Sequence, residues 1–126
     1  MNQNSSNTHI LGDAGEQAAR TFLTAKGYKI RHVNWRSHHL ELDIVAQTDT
    51  ELVIIEVKTR SSAYFIHPAD AVTDAKIRRI VTATQAYIYR YNIRTDVRFD
   101  VMALIPLPDG KYHIEHFENA FVSPIW

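Results

Sequence analysis

Acidic and basic side chains interrupt the most apolar part of this chain. Glu56 and Lys58 follow the apolar residues 52–55, and Asp43 lies in the alternating segment 40–47. Burial of an unpaired carboxylate costs several kcal/mol or neutralises the group. Each of these acids therefore needs a positively charged or hydrogen-bonding partner, and the identity of that partner determines what chemistry is possible.

Spacing predicts that Asp43 and Glu56 face each other across a hairpin. The polar residues 48–50 indicate a turn, and Asp43 lies six residues before Asp49 while Glu56 lies seven after it. Directly opposed residues of paired strands approach to about 4.5–5.5 Å between Cβ atoms. Because strand side chains alternate, Glu56 and Lys58 share one face. The pattern predicts a cluster of two carboxylates and one ammonium group.

Two carboxylates in one cluster repel each other unless a positive charge lies between them. Lys58 could supply that charge, and so could a divalent cation; oxygen ligands without thiolates favour Mg²⁺ or Mn²⁺. With a metal present, the lysine would hold or activate the attacking water. The structural alternative is that Glu56 only pairs with Lys58 or Arg60 and Asp43 only caps the hairpin. Spacing alone does not distinguish these interpretations.

The surrounding elements predict an α/β fold in which helices flank a mixed central β-sheet. Helical apolar spacing indicates helices over residues 13–26 and 73–91, and Pro68 could open a short helical turn before the second helix. The remaining patterns indicate five strands, over residues 28–34, 40–47, 52–58, 97–106 and 112–117. The predicted order is α-β-β-β-α-β-β. A helical crossover between the third and fourth strands predicts that these two strands are parallel neighbours.

Composition predicts one folded domain over residues 11–126, after a flexible N-terminal stretch at residues 1–10. The 126 residues are 45% hydrophobic and 22% charged, which is the balance of a globular domain. The chain has no cysteine, which excludes disulfide frameworks, thiolate metal sites and cysteine nucleophiles. No apolar run approaches the roughly 20 residues that span a bilayer, and the polar N-terminus lacks a signal core, so we expect a cytoplasmic protein.

The basic residues are unevenly distributed along a chain whose formal net charge is zero. Residues 56–98 contain eight basic and four acidic side chains, whereas residues 99–126 contain one basic and four acidic side chains. Phosphate contacts from lysine and arginine supply most of the affinity for nucleic acid. Arg60, Lys76 and Arg79 are therefore candidate phosphate contacts, and the alternative for each is a solvated surface charge.

Together these residues resemble the core of a known group of nucleases. Asp43, followed thirteen positions later by Glu56-Val57-Lys58, is similar to the PD-(D/E)xK nuclease core. The chain more closely resembles the YraN family, bacterial proteins assigned as endonucleases and distantly related to archaeal Holliday junction resolvases. The resemblance runs through Gly15-Glu16 with Ala19, Gly27-Tyr28, Asn34-Trp35-Arg36, residues 41–46, residues 55–60, residues 68–72, residues 76–80 and Arg98-Phe99-Asp100-Val101. It implies a restriction-endonuclease-like fold and metal-dependent hydrolysis of nucleic-acid phosphodiesters.

The resemblance also implies roles for individual residues. Asp43 and Glu56 would bind the metal, and Lys58 would be the catalytic lysine. Glu16 matches the acidic helix residue of resolvase-like nucleases, which would contact the metal through water; a first-turn glutamate stabilised by the helix dipole is the alternative. Glu41 could be an outer acid of the site or an exposed strand charge, and His39 shares strand parity with Asp43.

Other features bear on the substrate and on activity. The chain has Leu40 and Ile66 where the family has glycines, and loss of glycine alters how closely a backbone can approach phosphate. Gln85 and Tyr89 have a Gln-x-x-x-Tyr spacing seen in some nucleases of this fold. The favoured alternative is helix packing, which Tyr87 and Ile88 fit instead. We expect a nuclease acting on DNA, branched or single-stranded, and a homodimer as in resolvases. The alternative is a non-catalytic nucleic-acid-binding or protein-interaction module.

Overall fold

Two helices and five strands make up residues 12–60 and 72–123, the parts of the chain that the computed structural model describes. They are α1 (Asp13–Ala25), β1 (Lys29–Ser37), β2 (Leu40–Gln47), β3 (Glu51–Thr59), α2 (Asp74–Tyr91), β4 (Asp96–Pro106) and β5 (Tyr112–Phe121). The predicted order and the α/β class are confirmed. The predictions for residues 1–10, for Pro68 and for Ile66 fall outside the described residues.

The five strands form one mixed sheet in the order β1-β2-β3-β4-β5. β3 and β4 are parallel, paired from Glu51 with Asp96 to Thr59 with Leu104, and the other neighbours are antiparallel. The predicted parallel neighbours are therefore confirmed. Because a parallel pair needs a long crossover connection, α2 must pass over the sheet between β3 and β4.

Each face of the sheet is covered by one helix, so the central strands are buried on both sides. On one face, Ala19 and Leu23 of α1 pack with a cluster that includes Ile44 and Ile55. On the other face, the α2 side chains Ile80, Val81, Ala83 and Tyr87 pack with a cluster that includes Val45 and Ile54. Burial on both faces explains why β3 is almost continuously apolar.

Both ends of α2 are fixed by local chemistry. The Thr73 side chain accepts a hydrogen bond of 3.2 Å from the Lys76 amide, which satisfies one of the free donors of the first turn. Asn92 ends the helix in the left-handed conformation with φ of 54°, and the Ile93 amide donates to the Ile88 carbonyl. This start places Lys76 in the first helical turn.

No helix within residues 12–60 and 72–123 is long and apolar enough to cross a membrane.

Candidate active site

The β2–β3 register brings Asp43 and Glu56 together, as the spacing predicts. Ile44 is paired with Ile55, and Asp43 and Glu56 are the next residues on the two strands. The Asp43 carboxylate accepts a 2.9 Å hydrogen bond from the Val57 amide. This side-chain bond links β2 and β3 beyond Ile44 and Ile55, where their main-chain pairing ends. Both acids are buried, each with 4% of its surface exposed. Asp43 thus also has the capping role that the structural alternative predicts.

Two lysines approach the same carboxylate oxygen of Glu56. The Lys58 ammonium lies 3.4 Å from Glu56 Oε2, and the Lys76 ammonium lies 3.6 Å from that atom. Lys58 reaches it along β3, and Lys76 reaches it from the first turn of α2. Together with Asp43, these side chains form a cluster of two acids and two bases on the α2 face of the sheet. The proximity of Lys58 to Glu56 is as predicted, whereas that of Lys76 is not.

Burial and charge repulsion control the protonation of Asp43. Burial, and then the charge of Glu56 beside it, raise the pKa of Asp43 well above its ordinary value. The Val57 amide and the positive charge of Lys76 act in the opposite direction but do not outweigh these causes. The pair therefore favours an added positive charge, either a proton or a cation.

The acid pair fits a hard divalent cation. Glu56 Oε2 is buried and has no hydrogen-bond partner among the described residues, since both lysine contacts are ion pairs without hydrogen-bond geometry. No group of three or more metal-binding side chains occurs within residues 12–60 and 72–123, so the protein offers two carboxylates. Mg²⁺ commonly takes one or two carboxylates and completes its shell with water and phosphate oxygens. The donor set suits Mg²⁺ or Mn²⁺.

Glu16 lies on the helix that covers the other face of the sheet. α1 packs against Ile44 and Ile55, whose side chains point away from the face that carries Asp43 and Glu56. The Glu16 carboxylate accepts a 2.8 Å hydrogen bond from Arg20, one turn further along α1. The structure therefore does not bring Glu16 into direct contact with the acid pair. A water-mediated role stays a prediction.

The three candidate phosphate contacts occupy different environments. Arg79 is exposed on α2, whereas the Lys76 side chain is 14% exposed and directed at Glu56. Arg60 follows β3, where its amide donates to the Leu104 carbonyl and its guanidinium contacts the Thr59 carbonyl. Phosphate binding by all three stays a prediction.

The other two side chains considered for the site lie at the β1–β2 hairpin. His39 is exposed in the turn, next to His38, which adopts a positive φ of 57°. Glu41 is half-buried and pairs in register with Arg36 of β1. Neither belongs to a metal-binding group among the described residues.

A second buried charge cluster, which sequence reasoning missed, surrounds Asp100 of β4. Asp100 is fully buried, and Arg98 donates to both of its carboxylate oxygens at 2.9 Å. His116 Nε2 lies 2.7 Å from Asp100 Oδ2, and the Asn119 amide donates to Oδ1. Arg98 also donates to the Tyr28 hydroxyl. Because every Asp100 oxygen is satisfied by the protein, this cluster is structural, unlike the acid pair.

Comparison with known sequences identifies one group of similar proteins. A family model described as "Uncharacterised protein family UPF0102" matches residues 15–104, a segment that includes Glu16, Asp43, Glu56, Lys58 and Lys76. A UPF0102 protein of Phocaeicola vulgatus is 49% identical over 116 residues, covering 92% of this chain and 95% of the relative. One of Parabacteroides distasonis is 47% identical over 114 residues, covering 90% and 93%. One of Flavobacterium psychrophilum is 43% identical over 111 residues, covering 88% and 92%.

Proposed function

The chain belongs to the UPF0102 family, the YraN family, and we propose that it is a divalent-metal-dependent nuclease hydrolysing phosphodiester bonds of DNA. The observation that carries this proposal is the buried pair of Asp43 and Glu56, with one carboxylate oxygen lacking a hydrogen-bond partner among the described residues. The two central strands hold both acids in place, so they are preorganised rather than dependent on a loop. Preorganised carboxylates beside a lysine suit phosphoryl chemistry.

Asp43 and Glu56 would hold Mg²⁺ or Mn²⁺ in this proposal. The bound metal would polarise a phosphoryl oxygen and make a coordinated water more acidic. Asp43 is kept in orientation by the hydrogen bond that its Oδ2 accepts from the Val57 amide. Glu56 is held between two ammonium groups and presents a buried oxygen.

Lys58 is the proposed catalytic lysine because of its place beside Glu56. Its side chain is 14% exposed, so its ammonium group can reach a substrate while remaining partly shielded from bulk water. From this position it would donate hydrogen bonds to the attacking water or to a phosphate oxygen, stabilising negative charge as it develops. Arg60 and Arg79 would contact phosphates further along the bound nucleic-acid strand, in keeping with the basic excess of residues 56–98.

A nuclease assay with matched variants tests the proposal. The purified protein is incubated with branched-junction, flap, single-stranded and duplex DNA in the presence of Mn²⁺, Mg²⁺ or EDTA. We expect metal-dependent cleavage of at least one substrate, and its loss in Asp43→Ala, Glu56→Ala and Lys58→Ala. Asp96→Asn, which alters an exposed acid at the start of β4, is the control and should cleave normally. Undiminished cleavage by the Asp43 and Glu56 variants would refute the assignment.

One observation favours a second candidate, a non-catalytic nucleic-acid-binding module on the same fold. Lys58 and Lys76 already compensate the charge of Glu56, so the cluster can persist without a metal. Titration with Mn²⁺ separates the two candidates. Binding of DNA without any binding of Mn²⁺ at millimolar concentration would favour the module over the nuclease.

A further inference from the structure

The face of α2 that points away from the sheet is polar, basic and aromatic. Arg78, Thr82, Gln85 and Tyr89 are all exposed and recur at helical spacing, so they form one stripe. The Tyr89 side chain is the most conspicuous member, with 89% of its surface exposed. Tyr87, two residues earlier on the same helix, is fully buried, so these two tyrosines serve different purposes.

Three arginines accompany the exposed tyrosine. Arg78, Arg79 and Arg90 are exposed, and none of them forms an ion pair with an acid among the described residues. The sole acidic residue of α2 is Asp74, at its first position. The exposed surface of the helix therefore has a net positive charge that the protein does not compensate locally, which is complementary to a polyanion.

We propose that the exposed face of α2 is a binding surface for single-stranded nucleic acid, with Arg78, Arg79 and Arg90 on phosphates and Tyr89 stacked on an unpaired base. Proteins that bind single strands combine basic side chains along the backbone with aromatic rings on which bases stack. From Arg78 to Tyr89 the helix rises about 16 Å, at roughly 1.5 Å per residue, so the surface accommodates a short run of nucleotides.

Tyr89 is the residue that favours a single strand over a duplex. The bases of a duplex are stacked on one another, so their faces are not available to a ring on a convex helix surface, and a duplex would engage the arginines alone. The inference deepens the proposed function, because it names unpaired nucleic-acid strands as the substrate class. It rests on the proposed function in one respect: a basic surface could bind any polyanion, and the nuclease proposal selects nucleic acid. α2 also borders the acid pair, because its first turn carries Lys76 to Glu56.

Binding measured without metal tests the inference separately from cleavage. The full-length protein in EDTA is titrated into fluorescein-labelled single-stranded DNA and into the duplex of the same sequence, with anisotropy as the readout. We expect Tyr89→Ala to weaken single-strand binding about tenfold, the scale of one lost base stack, and to leave duplex binding unchanged. Tyr89→Phe retains the ring and should bind as the parent does. The double variant with Arg78→Ala and Arg90→Ala should bind both the single-stranded and the duplex DNA more weakly, and the salt dependence of binding should decrease.

The control is Val122→Ala, which shortens an exposed apolar side chain outside α2 and should leave binding unchanged. A protein that binds single strands in EDTA but never cleaves them when metal is added would contradict the nuclease and not this surface. Equal single-strand affinity of Tyr89→Ala and the parent would overturn the inference. A change in self-association on Tyr89→Ala, seen by sedimentation without a change in DNA binding, would overturn it in favour of a protein interface.

Discussion

Lys76 of α2 lies 3.6 Å from Glu56 of β3, measured from Nζ to Oε2, so the crossover helix contributes directly to the acid pair. Lys58 approaches the same oxygen at 3.4 Å from within the strand. Both lysine side chains are largely buried, which leaves their attraction to Glu56 poorly screened by solvent. The protein therefore carries its own counter-ions for the acids, and a bound metal would have to compete with them.

Lys76→Met should separate the effects of this lysine on stability and on metal binding. In EDTA, we expect the free energy of unfolding to fall by about 1–3 kcal/mol, because the buried Glu56 loses one of its two cations. We expect Mn²⁺ to bind more tightly, since one repelling charge has gone. Urea denaturation and calorimetric titration measure the two quantities. Lys76→Arg keeps the charge and is the control; weaker Mn²⁺ binding by Lys76→Met would contradict the competition.

Asp43→Asn should stabilise the metal-free protein. Burial and the neighbouring Glu56 raise the pKa of Asp43, so the ionised pair is unfavourable at neutral pH. An amide oxygen can still accept the bond from Val57, while the amide group removes a charge and offers a donor to Glu56. We expect a gain of about 1 kcal/mol in EDTA, together with loss of stabilisation by Mn²⁺. Thermal denaturation with and without Mn²⁺ measures both, and a less stable Asp43→Asn in EDTA would contradict the interpretation.

The site could be predicted where it depends on local geometry. Strand parity and a turn at residues 48–50 suffice to oppose Asp43 and Glu56, and the Thr48 hydroxyl indeed accepts a 3.1 Å bond from the Glu51 amide in that turn. The position of Lys76 depends instead on how α2 docks across the sheet, twenty residues after Glu56. No spacing rule encodes that packing, so the sequence indicates a surface cation where the structure has a largely buried lysine that contacts Glu56.

The irregular pairing of β5 explains the largest error at an element boundary. The last strand is predicted to end at residue 117, but β5 continues to Phe121. Its pairing with β4 shifts register between Phe99 and Val101, and Asn119 adopts a positive φ of 53° while its amide donates to Asp100. A bulge breaks the alternation on which strand prediction relies. The same residues explain why the Asp100 cluster was missed, because its partners meet only through this irregular pairing.

Asp100 should make stability depend on pH in the acidic range. Burial raises its pKa, but hydrogen bonds from His116, Arg98 and the Asn119 amide outweigh burial and hold it below the ordinary value. An acid with a lower pKa in the folded protein adds stability above its unfolded pKa, about 3.9, and that stability is lost as the pH falls through the folded value. We expect the difference between the parent and Asp100→Asn to be largest near neutral pH, about 3 kcal/mol, and to shrink below about pH 4.

Urea denaturation at a series of pH values from neutral to acidic tests this pH dependence. Asp96→Asn, at the exposed start of the same strand, provides the control and should follow the parent throughout. A difference between the parent and Asp100→Asn that stays constant across the acidic range would show that ionisation of Asp100 does not contribute.

The two tyrosines at positions 87 and 89 offer a matched test of hydroxyl burial. The Tyr87 hydroxyl accepts a 2.8 Å bond from Arg31 Nε and lies 2.7 Å from His32 Nδ1. Tyr87→Phe would leave these two partly buried groups without that oxygen, so we expect a loss of about 1–3 kcal/mol in the free energy of unfolding. The ring would remain packed against Trp35, whose centroid is 5.0 Å away.

Tyr89→Phe removes an exposed hydroxyl and should change stability by less than about 0.5 kcal/mol. Urea denaturation of the two variants measures the contrast, and equal effects would show that the Tyr87 hydroxyl does not stabilise the α2–β1 packing.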